Sequence, residues 1–252
     1  MVRKPLSSLL VLLALLGGCV SMPPRQPVDQ EARHALELLN ERWREFADFR
    51  ALADVVVVKG GERFLGFTGV LLVKAPDSIR LEALSPLGSQ PVALVVIHEG
   101  QLTAYAVAKN EARVGPATAE TIANELGLPL EPDDLVAVLA GRAAPTRDLR
   151  VAELLPADGA GPSLNLIGVR RERVWLNLQT GEVRRVEIGG GRASVTITYH
   201  RDGQAVRGFD FSAGGNYVTG SVTYRNVVVG SGIDADRFTL TLPKGVKIQS
   251  IR

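Results

Sequence analysis

Ser78–Ile97, SIRLEALSPLGSQPVALVVI, sets two apolar-rich runs on either side of a short loop. Its first run alternates, with Ile79, Leu81 and Ala83 on one side and Arg80 and Glu82 on the other. That is the period of a half-buried strand. The second run, Val92 to Ile97, is almost continuously apolar and reads as a more deeply buried strand. Between them lies Ser85-Pro86-Leu87-Gly88-Ser89, where Pro86 and Gly88 supply turn chemistry. Loop tips normally carry small or polar residues, so a leucine at position 87 asks for an explanation.

The same pattern spreads outward from this hairpin. Strands are expected at 55–59, 63–74, 78–84, 91–98 and 101–108, separated by Gly60-Gly61, Pro76-Asp77 and Glu99-Gly100. Such closely spaced strands suggest an antiparallel meander curling into a barrel or half-barrel. From Thr118 the period changes. Ala119, Ile122, Ala123 and Leu126 fit a helix ending near Gly127, and Leu135, Val138 and Leu139 fit a second, capped by Asp133 or Asp134 and ended by Gly141. Two short helices inside a meander read as a cover over the sheet, around residues 117–141. Residues 142–162 are rich in Ala, Pro, Asp and Gly and read as a loop. Strands resume at 164–169, 173–178, 183–188, 193–200, 206–212, 217–229, 237–242 and 246–251. Upstream, Ala32, Ala35, Leu36, Leu39, Trp43 and Phe46 mark an amphipathic helix over 30–48, with Asp29 as its N-cap.

The N-terminus carries a different signal. Arg3 and Lys4 precede an apolar run from Leu6 to Leu16, about 11 residues, too short to span a bilayer and suited to a secretory signal. Leu16-Gly17-Gly18-Cys19 has the form of a bacterial lipobox, and Cys19 is the only cysteine of the chain. A lone thiol in an exported protein has no internal disulfide partner, and acylation gives it a reason to exist. The expected organisation is a signal peptide over 1–18, an acylated N-terminus and tether over 19–29, and one domain over 30–252. Val20 and Ser21 lack the aspartate that retains enterobacterial lipoproteins in the inner membrane, which points to the outer membrane.

Composition narrows the function. The formal charge of +2 falls to zero once Arg3 and Lys4 are removed, so nucleic-acid binding has no electrostatic support. His34, His98 and His200 lie in unrelated elements without metal-ligand spacing, and there is no nucleophile elbow or P-loop. Gly230-Ser231-Gly232 with Asp234 and Asp236 lacks both a following helix and a full calcium ladder, and reads as a turn. No catalytic constellation, cofactor motif or metal motif emerges, and enzyme function is not expected.

The hairpin with its Ser-Pro-Leu-Gly-Ser loop, followed by Ile122 to Leu130 (IANELGLPL) and by Leu135 to Gly141, resembles the LolB family of outer-membrane lipoprotein receptors. The lipobox at Cys19 agrees with LolB and not with its soluble carrier partner LolA. Outside 78–142 the likeness rests on the general plan of the LolA/LolB-like superfamily, where Phe238 to Val246 looks like the closing strand and its Pro-x-Gly turn. The resemblance implies an incomplete antiparallel β-barrel covered by helices, with an apolar cavity for the acyl chains of lipoproteins. It further implies delivery of cargo from a LolA-like periplasmic carrier into the outer membrane, with Leu87, flanked by Pro86 and Gly88, as the protruding side chain of the insertion loop. The alternative is a lipid-anchored module that holds another hydrophobic ligand or serves an envelope assembly complex.

Overall fold

A computed structural model of the chain describes residues 22–86, 90–189 and 194–251. Cys19, Leu87 and Gly88, three of the positions singled out above, lie outside the described residues. Helix α1 spans Gln30–Arg44, with the Asp29 carboxylate accepting the Ala32 amide at 2.7 Å. It is followed by six strands: β1 (Asp48–Lys59), β2 (Glu62–Lys74), β3 (Ser78–Leu84), β4 (Pro91–His98), β5 (Gln101–Ala106) and β6 (Glu111–Pro116). The cover comes next, as α2 (Ala119–Leu126) and α3 (Pro132–Ala140). Strands β7 (Val151–Asp158), β8 (Gly161–Ile167), β9 (Arg171–Leu176), β10 (Val183–Ile188), β11 (Val195–Asp202), β12 (Ala205–Ala213) and β13 (Val218–Val229) complete the meander. A final short strand, β14 (Lys247–Ser250), closes the chain.

All fourteen strands form one sheet in the order β14-β6-β5-β4-β3-β2-β1-β13-β12-β11-β10-β9-β8-β7. Every pairing is antiparallel except β14 on β6. The two outer strands, β14 and β7, are not joined, so the barrel is incomplete. The central β1–β13 ladder joins the two halves of the chain, from Phe49 opposite Val229 to Lys59 opposite Val218.

The concave face holds the main core. Val73, Ile79, Ile97, Leu102, Leu164, Val174, Val195, Ile197 and Phe209 are buried there in one cluster with Ala32, Ala35 and Leu39 of α1 and Ile122, Leu135 and Val138 of the cover. The alternation in β3 now has a physical meaning. Ile79 and Leu81 turn into this cluster, while Arg80 and Glu82 pair at 2.6 Å on the other face.

Several expectations need correction. The first helix ends at Arg44 rather than 48, and β1 begins seven residues earlier than the alternation at Val55 suggested. Asp48 belongs to the strand because its buried carboxylate is captured by the amides of Ser231, Gly232 and Ile233 at 2.9–3.3 Å. The glycine-serine turn at 230–232 is thus an anion cradle for the protein's own side chain. Residues 237–242 are not a strand. Ala235–Phe238 is a 3-10 turn, and Phe238, with Leu240 and Leu242 of the strap that follows, lies on the convex side of the sheet against Leu72, Val96, Leu94 and Tyr105. Period-two burial needs a surface to lie on, and the strap finds one without strand pairing. Lys74 and Arg80 hold it by donating to the carbonyls of Ile233, Arg237 and Thr239.

Two strands were hidden in the sequence. β6 is short and ends in Gly-Pro, and β7 lies inside the stretch read as a loop. β7 is an edge strand that buries only Val151 and Ala152 and carries Pro156, a residue that edge strands tolerate. Neither Asp133 nor Asp134 caps α3. Glu131 occupies that position without a side-chain bond, and Pro132 begins the helix.

Candidate functional site: a covered concave face

The cover is an α-hairpin laid along the sheet axis. α2 starts with a Thr118/Thr121 capping box beside Gly100 and ends at Gly127, whose φ of 80° is the left-handed turn that glycine adopts without strain. Leu128 and Leu130 are buried in the connection, and α3 then runs back across the barrel. Its last residues meet Gly141 (φ 69°), where a β-carbon would collide with Val206 of β12. The sheet and α3 are therefore in close contact at this end.

Both ends of α3 are tied to the sheet by polar groups. At its C-terminus, the phenol of Tyr199 donates to the Val138 carbonyl at 3.1 Å and that of Tyr224 donates to the Leu139 carbonyl at 2.8 Å. Arg201 donates to the Gly141 carbonyl at 2.7 Å and to the Val183 carbonyl at 2.9 Å. The Val138, Leu139 and Gly141 carbonyls belong to the helix end, where intrahelical donors run out. Burial pushes both phenols up, so they remain donors at every physiological pH. At its N-terminus, Asp133 pairs with Arg147 at 2.8 Å, and Asp134 pairs with Arg170, which also faces Glu172 at 3.7 Å. Burial raises Asp134 to about 8, against the pull of Arg170. Burial likewise raises Glu172 to about 7, opposed by Arg170 and by the Thr146 hydroxyl, which donates to it at 3.2 Å.

With the cover seated, the concave face has little free space. A cavity of about 140 Å³ opens between the C-terminal ends of α1 and α3 and the strands β10, β12 and β13. Leu39, Phe46, Phe49, Val183 and Val206 give it apolar walls, and Arg42, Arg142, Arg201 and Glu182 stand around it. Arg142 lies 5.4 Å from the Phe46 ring centre, and its buried Nη1 has no hydrogen-bond partner. Burial and the neighbouring Arg42 lower its guanidinium to about 10.

Of the expected insertion loop, Pro86 is described and is exposed. Ser85 and Gln90 close the base of the loop through a 2.9 Å backbone bond. The histidines remain dispersed: His98 meets Ser78 at 2.8 Å and His200 meets Asp210 at 2.9 Å. Among the described residues, no group of three or more His, Cys, Asp and Glu is placed to hold a metal ion. Among the same residues, no helix is long and apolar enough to cross a membrane. The sequence reading missed Tyr199, Tyr224 and Arg201. Tyr199 was legible only as an inward position of β11, and nothing in the chain order announced that inward phenols would meet helix carbonyls 61 and 85 residues away.

No protein-family description matches the chain, and no curated protein matches it in sequence. Solved structures do. A LolA superfamily protein from Nitrosomonas europaea is similar with a TM-score of 0.58 at 14% identity, over 83% of this chain and 97% of that one. A DUF1329 family protein from Desulfovibrio piger gives 0.60 at 14% identity, over 85% and 98%. A domain from Vibrio parahaemolyticus described as an outer membrane lipoprotein-sorting protein gives 0.57 at 14% identity, over 82% and 97%. The covered, incomplete barrel of this chain is thus the LolA-like fold.

Proposed function

We propose that the protein is a lipid-anchored envelope protein that receives acyl chains of lipoproteins under its helical cover and passes them into the outer membrane, in the manner of LolB. The observation that carries this reading is the concave face: a wide aliphatic surface on an open sheet, shielded by a hairpin rather than by more strands. Aliphatic walls match a hydrocarbon without requiring polar partners. The Vibrio lipoprotein-sorting structure and the Nitrosomonas LolA superfamily structure support it through the shared fold.

Volume sets the mechanism. Ligand pockets are usually about 300–1,000 Å³, and the present cavity is about 140 Å³. Acyl chains therefore enter by displacing the cover. Ile122, Leu128, Leu130, Leu135, Val136 and Val138 are buried beneath it. Exposing six such side chains costs on the order of 10 kcal/mol, so opening is feasible only if hydrocarbon takes their place. The fold exchanges one apolar partner for another. Neither step makes or breaks a covalent bond, and the reading includes no catalysis, cofactor or metal.

Cys19 supplies the anchor in this reading, and the Pro86-Leu87-Gly88 loop supplies the apolar contact that starts insertion. A LolA-like carrier is the donor. The test is complementation of a strain depleted of its outer-membrane lipoprotein receptor by the wild type and by Leu87→Glu. The wild type is expected to restore lipoprotein localisation, and the variant to fold, hold cargo and fail to release it. Wild-type protein that leaves lipoproteins stranded defeats the proposal. The arginine-ringed mouth favours a second reading, a carrier of another amphiphile with an anionic head. In that case acyl ligands co-purify with the protein, but Leu87→Glu changes nothing.

A further inference from the structure

The two ends of the sheet differ in what they expose. Besides the β10–β11 connection, which falls mostly outside the described residues, strand order and register place five connections at one end: β1–β2, β3–β4, β5–β6, β8–β9 and β12–β13. Phe64 (68% exposed), Leu65, Val92, Val107, Val169 (62%) and Tyr217 (57%) all lie on or beside these connections. The β1–β2 hairpin projects beyond the strand beside it. β3 pairs with β2 only from Gly69 onward, so residues 62–68 of β2 run past the end of their neighbour. At its tip the Lys59 ammonium lies 5.5 Å from the Phe64 ring centre and 5.8 Å from that of Tyr217. Arg63 stands beside them in sequence. Amphipathic rings beside basic side chains suit the boundary between hydrocarbon and anionic headgroups.

The opposite end is built differently. Its turns at Asp77, Glu99-Gly100 and Asp202-Gly203 each carry an acidic residue. Its exposed large apolar side chains, among the described residues, are Val227 to Val229 beside the cavity mouth.

The tether chooses between the ends. Gln26 donates to the Arg150 carbonyl at 2.8 Å, and the Arg150 amide donates to Ile167, the last residue of β8, at 2.7 Å. The chain therefore joins the fold at the aromatic end. Six residues lie between Cys19 and Gln26. The tether leaves the fold beside Ile167, while the far end of β8 lies roughly 20 Å away. The attachment thus sets the anchor nearer the aromatic end.

We infer that Phe64, Leu65 and Tyr217, with Lys59 and Arg63, form a second lipid-contacting tip that seats this end of the barrel on an anionic membrane surface beside the 85–90 loop. The inference rests on the anchored reading above and deepens it, because the protein then stands on the membrane through two hairpins. The opposite end and its cavity mouth face away.

Cys19 is the chain's only cysteine, so once acylated it leaves an introduced thiol unique. Phe64→Cys and Glu99→Cys proteins, spin-labelled and anchored in phosphatidylethanolamine–phosphatidylglycerol vesicles, report the local solvent by collision with oxygen and with a water-soluble nickel complex. The label at 64 is expected to favour oxygen at least threefold more than the label at 99. Equal aqueous exposure at both positions overturns the inference. So does a label at 64 that responds only to an added LolA-like carrier, or that shows spin–spin broadening from a second copy. Tyr217→Ser on the Phe64→Cys background is expected to reduce the oxygen preference, and an unchanged value argues against a shared tip. Cargo transfer measured on the same vesicles separates the two ideas: immersion without transfer removes the insertase reading and leaves the tip standing. If the native sequence itself takes up label, Cys19 is not acylated. The measurement is then made in a Cys19→Ser background with vesicles added, and an aqueous label at 64 overturns the tip there as well.

Discussion

The end of the barrel that carries Phe64 and Tyr217 and the end that carries Asp48 use their residues in opposite ways. At the first, apolar side chains are exposed and make few contacts within the protein. At the second, buried polar groups meet partners built for them: Asp48 is held by three amides and a hydroxyl, and the C-terminal carbonyls of α3 by Tyr199, Tyr224 and Arg201. Buried polar groups are expensive to orphan, whereas exposed apolar ones contribute little to folding. The Asp48 side is therefore held together by paired buried groups, whereas the tip with Phe64 and Tyr217 is free to serve contact with something else.

The sharpest way to break that contrast is Asp48→Ala. It leaves the Ser231, Gly232 and Ile233 amides without their acceptor, and we expect a loss of about 3–5 kcal/mol in denaturant unfolding, as for several buried donors orphaned together. A loss below about 1 kcal/mol would show that the cradle is not what holds β1 to the strap. pH probes the other end of α3. Asp134 and Glu172 sit at about 8 and about 7 when folded, above their unfolded values of 3.8 and 4.5. The folded state thus binds protons that the unfolded state releases, and the contribution of these two groups to stability is fully present below about pH 4 and is lost as pH rises through about 7 to 8. Glu172→Gln is expected to flatten this slope, by on the order of 3 kcal/mol across the range. A thermal-unfolding profile that rises between pH 5 and pH 8 by about the same amount would contradict it.

Smaller effects follow at the cover. Tyr224→Phe leaves the Leu139 carbonyl unpaired and is expected to cost about 1–2 kcal/mol. It should also speed hydrogen exchange in α3 more than in the central strands. The smallest effect is the most telling for the comparison. Phe64→Ser removes a side chain that is 68% exposed, so its stability change should stay within about 0.5 kcal/mol while membrane contact is lost. A large loss of stability would mean that the tip is a structural element after all.

Much of this architecture was legible residue by residue. β3 and β4 have the bounds that their alternation and turn chemistry indicated, because a strand with one buried face must keep period two. The α2 helix was equally clear, since Thr118 and Gly127 mark both of its ends. The strap at 237–242 misled for a specific reason: alternation reports one-sided burial, and a chain can be buried on one side without pairing. β7 escaped because an edge strand with two buried residues has almost no pattern to read. In the candidate site, the aliphatic surface and the cover were foreseeable from composition and period. The latches on α3 were not, because each joins residues far apart in the chain.

By itself, then, the sequence determined the local elements, the aliphatic character of the interior and the N-terminal lipobox pattern, all of which depend on neighbours in the chain. Tertiary structure alone decided which end of the barrel is closed and which is exposed. That choice rests on strand register and on contacts such as Asp48 with Ser231 and Gln26 with Arg150, which bring together groups more than a hundred residues apart. The Ser78–Ile97 hairpin specified its own two strands. Only the register of the whole sheet set its loop at the same end as Phe64, Tyr217 and the entry of the tether.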